Sequence, residues 1–158
     1  MCVIGSRQSP GYHRQRVTSR IESGSIRRVH QWNAARLAQA VATVECVAPG
    51  RLRFLAGQSA TLYGGAGGVD ARATWPIASC PCDDRNLHFH VARDPGDALA
   101  SMFFDAAFRP ADALTLWGPT GDFVLADGGR PLAFVACDTG YAPIKSLIEH
   151  AMAVDVVE

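Results

Sequence analysis

The feature that most constrains the fold is a series of short apolar runs between residues 38 and 125, separated by glycine and proline turns. Residues 41–47 are rich in β-branched side chains and are followed by Pro49-Gly50. β-Branched residues favour strands, and Pro and Gly favour turns. Many short strands joined by such turns predict an antiparallel barrel or sandwich. The predicted strands are 41–47, 52–55, 59–63, 75–79, 87–92, 114–117 and 123–125.

Two other segments interrupt these strands. Residues 64–68 hold four glycines, which lose much backbone entropy when ordered, so they predict a flexible loop. Residues 97–108 carry apolar side chains at 99, 102, 103 and 106, which predicts a short helix capped by Asp97.

The last thirty residues have a different pattern. Residues 131–137 (PLAFVAC) form a continuous apolar run, typical of a strand buried on both faces. A turn follows, and then a predicted helix over 144–153, so this part is a βα unit. The Thr139-Gly140 turn before the helix is a candidate anion site, since free N–H groups and the helix dipole point at it. A tight connection that merely needs Gly140 for its backbone angles would have the same sequence.

The N-terminal region has its own composition. Residues 1–32 hold six arginines against the single acid Glu22, and no period persists. We therefore predict a basic, disordered tail over residues 1–37. An arginine-rich arm for nucleic acid is the alternative, but the arginines are spread out and only Tyr12 and Trp32 could stack on bases. Over the whole chain 15 basic residues balance 15 acidic ones, so neither nucleic acid nor an anionic membrane is expected as a partner.

The five cysteines are best interpreted as reduced thiols of a cytoplasmic protein, because no secretory signal precedes them. No apolar run is long enough to span a membrane. Cys80 and Cys82, together with His88 and His90, have the ligand types of a zinc site, although their spacings are short. We expect no metal there.

Six blocks occur in a fixed order along the chain: FLAGQ at 54–58, Arg72 with WPIAS at 75–79, LHFHVAR at 87–93, GDALAS at 96–101, LWGPTGDF at 116–123 and DTGYAP at 138–143. In this order they resemble the ferredoxin-NADP reductase family, which includes the reductase components of bacterial oxygenases. The resemblance covers about residues 38 to 156.

The resemblance implies a flavin-binding antiparallel β-barrel of Greek-key type over 38–128. A partial α/β nucleotide-binding domain follows, represented by its first βα unit over 129–158. It also implies FAD as the cofactor, and electron transfer between NAD(P)H, FAD and an iron-sulfur partner, either ferredoxin or an oxygenase component.

By resemblance, Arg72 would bind the flavin pyrophosphate and Trp75 would pack on the isoalloxazine ring. Arg72 lies one residue earlier than the family arginine, whose position holds Ala73. Pro76 replaces the family serine and has no N–H. The hydrogen bond to the flavin ring would then come from the N–H of Ile77 or from Ser79.

The remaining implied contacts come from the next strand and from two turns. The helix would begin near Ser101, a start that we prefer here to Asp97. The implied residues are His90, Val91 and Ala92 along the adenosine, Ala100, Ser101 and Met102 at the pyrophosphate, and Thr139 and Gly140 in the later turn.

Two features depart from the family pattern. The interval between Glu45 and Arg51 is short, which predicts a shortened or deleted barrel strand. The nucleotide domain stops after its first unit, and Asp138 would repel a pyrophosphate. We therefore expect NAD(P)H binding only if the missing domain is supplied. The alternatives are a non-catalytic flavin-binding or interaction module, or the product of a shortened gene.

Overall fold

Six antiparallel strands form one sheet in the computed structural model, which describes residues 20–32, 40–48, 50–125 and 132–153. The strands are β1 (Arg20–Gln31), β2 (Val41–Val47), β3 (Ser59–Ala66), β4 (Val69–Pro76), β5 (Asn86–Ala92) and β6 (Ala113–Thr120). Their order across the sheet is β4-β3-β6-β1-β2-β5. The antiparallel barrel class predicted from the sequence is confirmed.

The sheet curls around a core but does not close into a continuous ladder. On β5 the side chains of Leu87, Phe89 and Val91 are fully buried, and the alternate residues face outward. The edge strands β4 and β5 meet only near one bridge, between Ile77 and Phe89. The curled sheet therefore has an open seam between β4 and β5.

The prediction of a disordered tail to residue 37 was wrong for Arg20–Gln31, which is β1 and lies between β2 and β6. A register shift between Ile26 and Arg28 breaks the alternation that would mark a strand in the sequence. The short interval between Glu45 and Arg51 was expected to mean a shortened or deleted barrel strand. This expectation is also wrong, because β1 brings the number of strands in the sheet to six. Residues 1–19 and 33–37 of the predicted tail fall outside the described residues.

The glycine-rich segment 64–68 is a hairpin and not a flexible loop. Gly64 and Gly65 belong to β3, and Gly67 and Gly68 form the turn with φ values of 62° and 81°. Two consecutive positive φ angles suit a tight hairpin turn, which favours glycine at both positions. The predicted strands 52–55 and 123–125 are irregular chain, although Leu52 and Phe54 are buried.

The first helix, α1 (Ala98–Phe104), begins where the residue pattern predicted. The Asp97 side chain accepts a hydrogen bond from the N–H of Ala100 at 3.0 Å. The later start at Ser101, which we preferred from the resemblance, was therefore wrong. Phe103 of α1 packs into the main core.

The C-terminal part contains a short 3-10 turn, Asp138–Gly140, followed by α2 (Tyr141–Ala153). The helix agrees with the prediction, but residues 132–137 form no strand and Val135 is 70% exposed. An apolar run becomes a buried parallel strand only beside other strands, and none of the described strands pairs with it. Among the described helices, none combines the length and apolar character that a membrane crossing requires.

Candidate functional site

The candidate site lies at the joint, defined here as the contact between residues 76–79, β5 and the first half of α2. The Nζ of Lys145 donates to the carbonyl of Ala78 at 3.1 Å. The hydroxyl of Ser146, which is fully buried, donates to the carbonyl of Ser79 at 2.7 Å. These two bonds fix α2 against the chain directly after β4.

An aromatic contact joins β5 to the start of α2. The His90 imidazole stacks on Tyr141, with ring centroids 6.2 Å apart. Burial lowers the pKa of His90 from its ordinary value, and the positive charge of Lys145 lowers it further. His90 is therefore a neutral imidazole at neutral pH, beside the half-exposed ring of Tyr141.

The open edge of β5 presents backbone groups beside this contact. The N–H and C=O of His88 point away from β2, since they bond to Ser79 Oγ and to the Ala78 N–H. Residues two apart in a strand share this direction, so the N–H and C=O of Ala92 lie on the same edge. No described strand pairs with Ala92 there, and Pro76 at the end of β4 has no N–H to donate.

Trp75 and Arg72 do not meet, although the resemblance assigns both to one cofactor. Their separation of three residues places them on opposite faces of β4. Trp75 is half-buried, with its ring 6.1 Å from that of Phe103. Arg72 is exposed and lines a cleft of about 540 Å³ with Tyr63 and Thr115. The structure therefore places Trp75 against the core beside α1, one residue before the joint, and Arg72 on the other face of β4.

The substitute donors expected after Pro76 are both buried. The Ile77 N–H donates to the carbonyl of Gln58 at 2.9 Å, so the prediction that it is free for a ligand was wrong. Ser79 is buried, and its Oγ accepts the N–H of His88 at 3.2 Å. Val91 is fully buried in the core, so its side chain does not reach the surface of the joint.

The start of α1 does not offer the donors that were predicted for a pyrophosphate. The Ala100 N–H donates to the Asp97 carboxylate, and the Ser101 N–H donates to the Asp97 carbonyl. Met102 is partly buried against the core. The Asp97 carboxylate at the helix start disfavours an anion because the charges have the same sign.

The turn before α2 also has a carboxylate and an engaged N–H group where an anion was predicted. Asp138 has a φ of 53°, and the Gly140 N–H donates to the Cys137 carbonyl at 3.0 Å. Thr139 is partly buried and Gly140 exposed. Gly140 has no positive φ, and an added Cβ would meet nothing within 4 Å. The strained backbone position is thus Asp138, and the idea that Gly140 serves its own backbone angles gains no support.

The cysteine turn between β4 and β5 is oxidised and not reduced as predicted. Cys80 and Cys82 form a disulfide, with Cα atoms 5.2 Å apart. In the part of the chain that the structure describes, no three potential ligands are grouped to hold a metal ion.

Sequence reasoning missed three residues of the joint: Tyr141, Lys145 and Ser146. Ser146 gave one available signal, since a serine lies between Ile144 and Leu147 on the apolar side of the helix. Lys145, the single lysine in the chain, gave no signal for its bond to Ala78.

No family model matches the chain. It is 28% identical over 99 residues to the CDP-6-deoxy-L-threo-D-glycero-4-hexulose-3-dehydrase reductase of Yersinia pestis, covering 63% of this chain and 29% of the relative. It is 31% identical over 114 residues to the xylene/toluene monooxygenase electron transfer component XylA of Pseudomonas putida, covering 72% and 32%.

A solved structure gives the same answer. The Amycolatopsis cytochrome P450 reductase GcoB superposes with a TM-score of 0.73 at 28% identity, covering 93% of this chain and 43% of that one. The chain spans only 29% to 32% of the length of the two curated relatives above. The resemblance seen in the sequence is confirmed: this chain is related to the reductase components of oxygenase systems and has the fold of the FAD-binding domain of the ferredoxin-NADP reductase family.

Proposed function

We propose that this chain is the flavin-binding part of an electron-transfer reductase, with the isoalloxazine ring of FAD lying at the joint. The observation that carries the proposal is the arrangement at the open seam: the His90–Tyr141 stack, Trp75 at the end of β4, and the unpaired backbone edge at Ala92. Aromatic rings pack on a flavin, and unpaired N–H and C=O groups can bond its polar edge. The relatives named as electron transfer components support the same reading.

The residues fit the two ends of FAD unequally. The ring end has an aromatic, partly buried surface with a neutral imidazole. The pyrophosphate end lacks the cations expected for it, since Arg72 lines a cleft with β3 and β6 instead, and Asp97 and Asp138 place carboxylates at both predicted turns. We infer that the ring provides most of the binding and that the diphosphate lies away from the start of α1.

FAD, when bound, would accept and release electrons one or two at a time. The role of this chain would be to hold and shield the flavin ring. Tyr141 and Trp75 would contact it, and the Ser79–Ser146 bond would keep α2 in place beside it. The neutral His90 can donate one hydrogen bond and accept another at the edge of the site.

The wider activity is a proposal for the whole protein. The electron donor would be NAD(P)H, bound by a nucleotide domain that continues from the unit containing α2. The acceptor would be ferredoxin or an oxygenase component. Neither a membrane nor nucleic acid is proposed as a partner, and we place the protein in the cytoplasm.

FAD titration of the purified chain tests the flavin site. We expect the protein to take up FAD with a perturbed flavin absorbance, and Trp75→Ala and Tyr141→Ala to weaken binding by about tenfold or more each. Trp117→Ala is the matched control, since Trp117 is an exposed tryptophan on β6, which does not pair with β4 or β5. A colourless protein that takes up no FAD, or an equal loss in the control, would refute the site.

The carboxylates at both turns favour a second candidate, a non-catalytic flavin-binding or interaction module. Chemical reduction of bound flavin, followed by mixing with ferredoxin, separates the two. Oxidation of the flavin with reduction of ferredoxin supports electron transfer, and a flavin that stays reduced supports the second candidate.

Asp97→Asn keeps the helix cap without the charge. Unchanged FAD affinity in this variant is expected if the diphosphate lies elsewhere, and tighter binding would place it at α1.

A further inference from the structure

The turn between β4 and β5 carries a bonded cysteine pair that the proposed function does not use. Cys80 and Cys82 are separated only by Pro81, and their Cα distance of 5.2 Å is ordinary for a disulfide. We propose that this pair is a redox-active disulfide, which low-molecular-weight thiols reduce and their disulfides re-form. Its substrates would be glutathione-like thiols.

A structural role does not account for the bond. A disulfide stabilises a fold mainly by closing a long loop in the unfolded chain, and this one closes a loop with a single intervening residue. The sheet ladders and the buried core already hold the two flanking segments, since Ile77 bridges to Phe89 and Leu87 is buried. The bond therefore adds little to stability, which leaves its chemistry as the reason for the pair.

The two sulfurs have different surroundings, and this sets the direction of attack. Cys82 is exposed, whereas Cys80 is only 9% exposed. The N–H of Cys82 donates to the Sγ of Cys80 at 3.2 Å. A donor at this sulfur stabilises negative charge on it, and a better leaving thiolate speeds thiol–disulfide exchange. An incoming thiolate would attack Cys82, and Cys80 would leave.

Exchange with a small thiol, RSH, takes two steps. A thiolate RS⁻ attacks the Cys82 Sγ, the bond between the two cysteines breaks, and its electron pair passes to the Cys80 Sγ, which then takes a proton. A second RS⁻ attacks the RS sulfur of the mixed disulfide, which releases RSSR and the Cys82 thiolate, and this thiolate takes the second proton. The protein disulfide has gained two electrons and two protons, and two RSH have been oxidised to RSSR.

The other described cysteines do not share these properties. Cys46 is buried on β2, and burial raises the pKa of its thiol to about 12, so it stays protonated and unreactive. Cys137 is an exposed free thiol. In a cytoplasmic protein, the location proposed above, a disulfide is usually catalytic or redox-sensing.

A thiol count tests the proposal in the full chain, with Cys2→Ser and Cys137→Ser introduced so that Cys46 and the pair are the remaining cysteines. The folded protein is incubated with or without reduced glutathione, and is then denatured, alkylated and weighed by mass spectrometry. We expect two more alkylated cysteines after glutathione. An unchanged count would overturn the proposal, because it means either that no disulfide exists or that the thiol cannot reach it.

Two further variants in this background test the direction of attack. With Cys80→Ser, the exposed Cys82 should form a mixed disulfide with oxidised glutathione about tenfold faster than Cys80 does in the Cys82→Ser variant. Far-UV circular dichroism checks that both variants keep the sheet. Equal rates, or a faster reaction at Cys80, would contradict the assigned roles.

Discussion

The imidazole of His90 stacks on the ring of Tyr141, with centroids 6.2 Å apart and ring planes inclined by 20°. His90 belongs to β5 and Tyr141 begins α2, so the stack joins the sheet to the helix. It lies beside the hydrogen bonds that Lys145 and Ser146 donate to the chain after β4. The joint therefore couples a titratable ring to the docking of α2.

The first prediction concerns pH. Burial, with Lys145 and His88, lowers the pKa of His90 below the ordinary value of 6.5, and Glu149 opposes the shift. The unfolded chain therefore binds the proton more readily than the folded chain. The contribution of His90 to stability is full above about pH 7, and it falls as the pH drops through the pKa of the unfolded state towards the lower pKa of the folded state.

His90→Phe keeps a stacking ring and removes this titration. We expect the loss in free energy of unfolding between about pH 7.5 and 5.5 to be smaller in the variant, by at most about 1.4 kcal/mol per pH unit. Urea unfolding at several pH values measures it. Identical pH slopes for the two proteins would show that His90 is not buried as described.

The second prediction concerns the buried bond between α2 and the sheet. Ser146→Ala leaves the carbonyl of Ser79 without its donor at 2.7 Å, which costs about 1 to 3 kcal/mol. Ser101→Ala is the matched control, because it lies in α1 with a longer bond of 3.4 Å and gains similar helix propensity. Urea unfolding should show a clear loss for Ser146→Ala only, and equal losses would contradict the docking contact.

The sequence predicted those parts of the fold that depend on local patterns. Strands β2, β5 and β6 and both helices have regular periods or clear caps, so their existence was predictable. β1 was missed because its register shift between Ile26 and Arg28 breaks the alternation, and because one of its two pairing partners, β6, lies far along the chain. Residues 132–137 were overpredicted, since an apolar run does not reveal whether neighbouring strands are present.

The candidate site was predictable only in part, because strand faces and helix docking decide it. Trp75 ends close to the last residue of β4, and His90 and Ala92 lie on β5, so these three residues are near the seam between the two strands, and their contact with a flavin stays a prediction. Arg72 lies one residue earlier in the chain than the family arginine, and a shift of one residue along a strand moves a side chain to the opposite face. Lys145 and Ser146 act through contacts with residues more than sixty positions away, and no local pattern encodes such contacts.

The third prediction concerns the cap of α1. Asp97→Ala removes the acceptor for the Ala100 N–H and should cost about 1 kcal/mol, within a usual range of about 0.5 to 2. Asp97→Asn retains a capping oxygen and should be close to neutral. Asp122→Ala, at an exposed loop position after β6, is the control for loss of an acidic side chain. A helix that truly began at Ser101 would make Asp97→Ala as mild as the control, and thermal unfolding distinguishes the two cases.

The fourth prediction compares two glycines. Gly57 has a φ of 92°, and a Cβ added there would overlap the carbonyl oxygen of Phe123, a backbone atom that cannot swing away. Gly57→Ala should therefore lower the free energy of unfolding by at least about 2 kcal/mol. Gly140→Ala is the control, because nothing lies within 4 Å of its added Cβ and its φ is not positive; it should stay within about 0.5 kcal/mol of the parent. Urea unfolding of both variants measures the difference. A tolerated Gly57→Ala would mean that Gly57 and Phe123 are not packed against each other as the structure has them. It would also contradict the packing of Phe123 and Ala56 beneath α2.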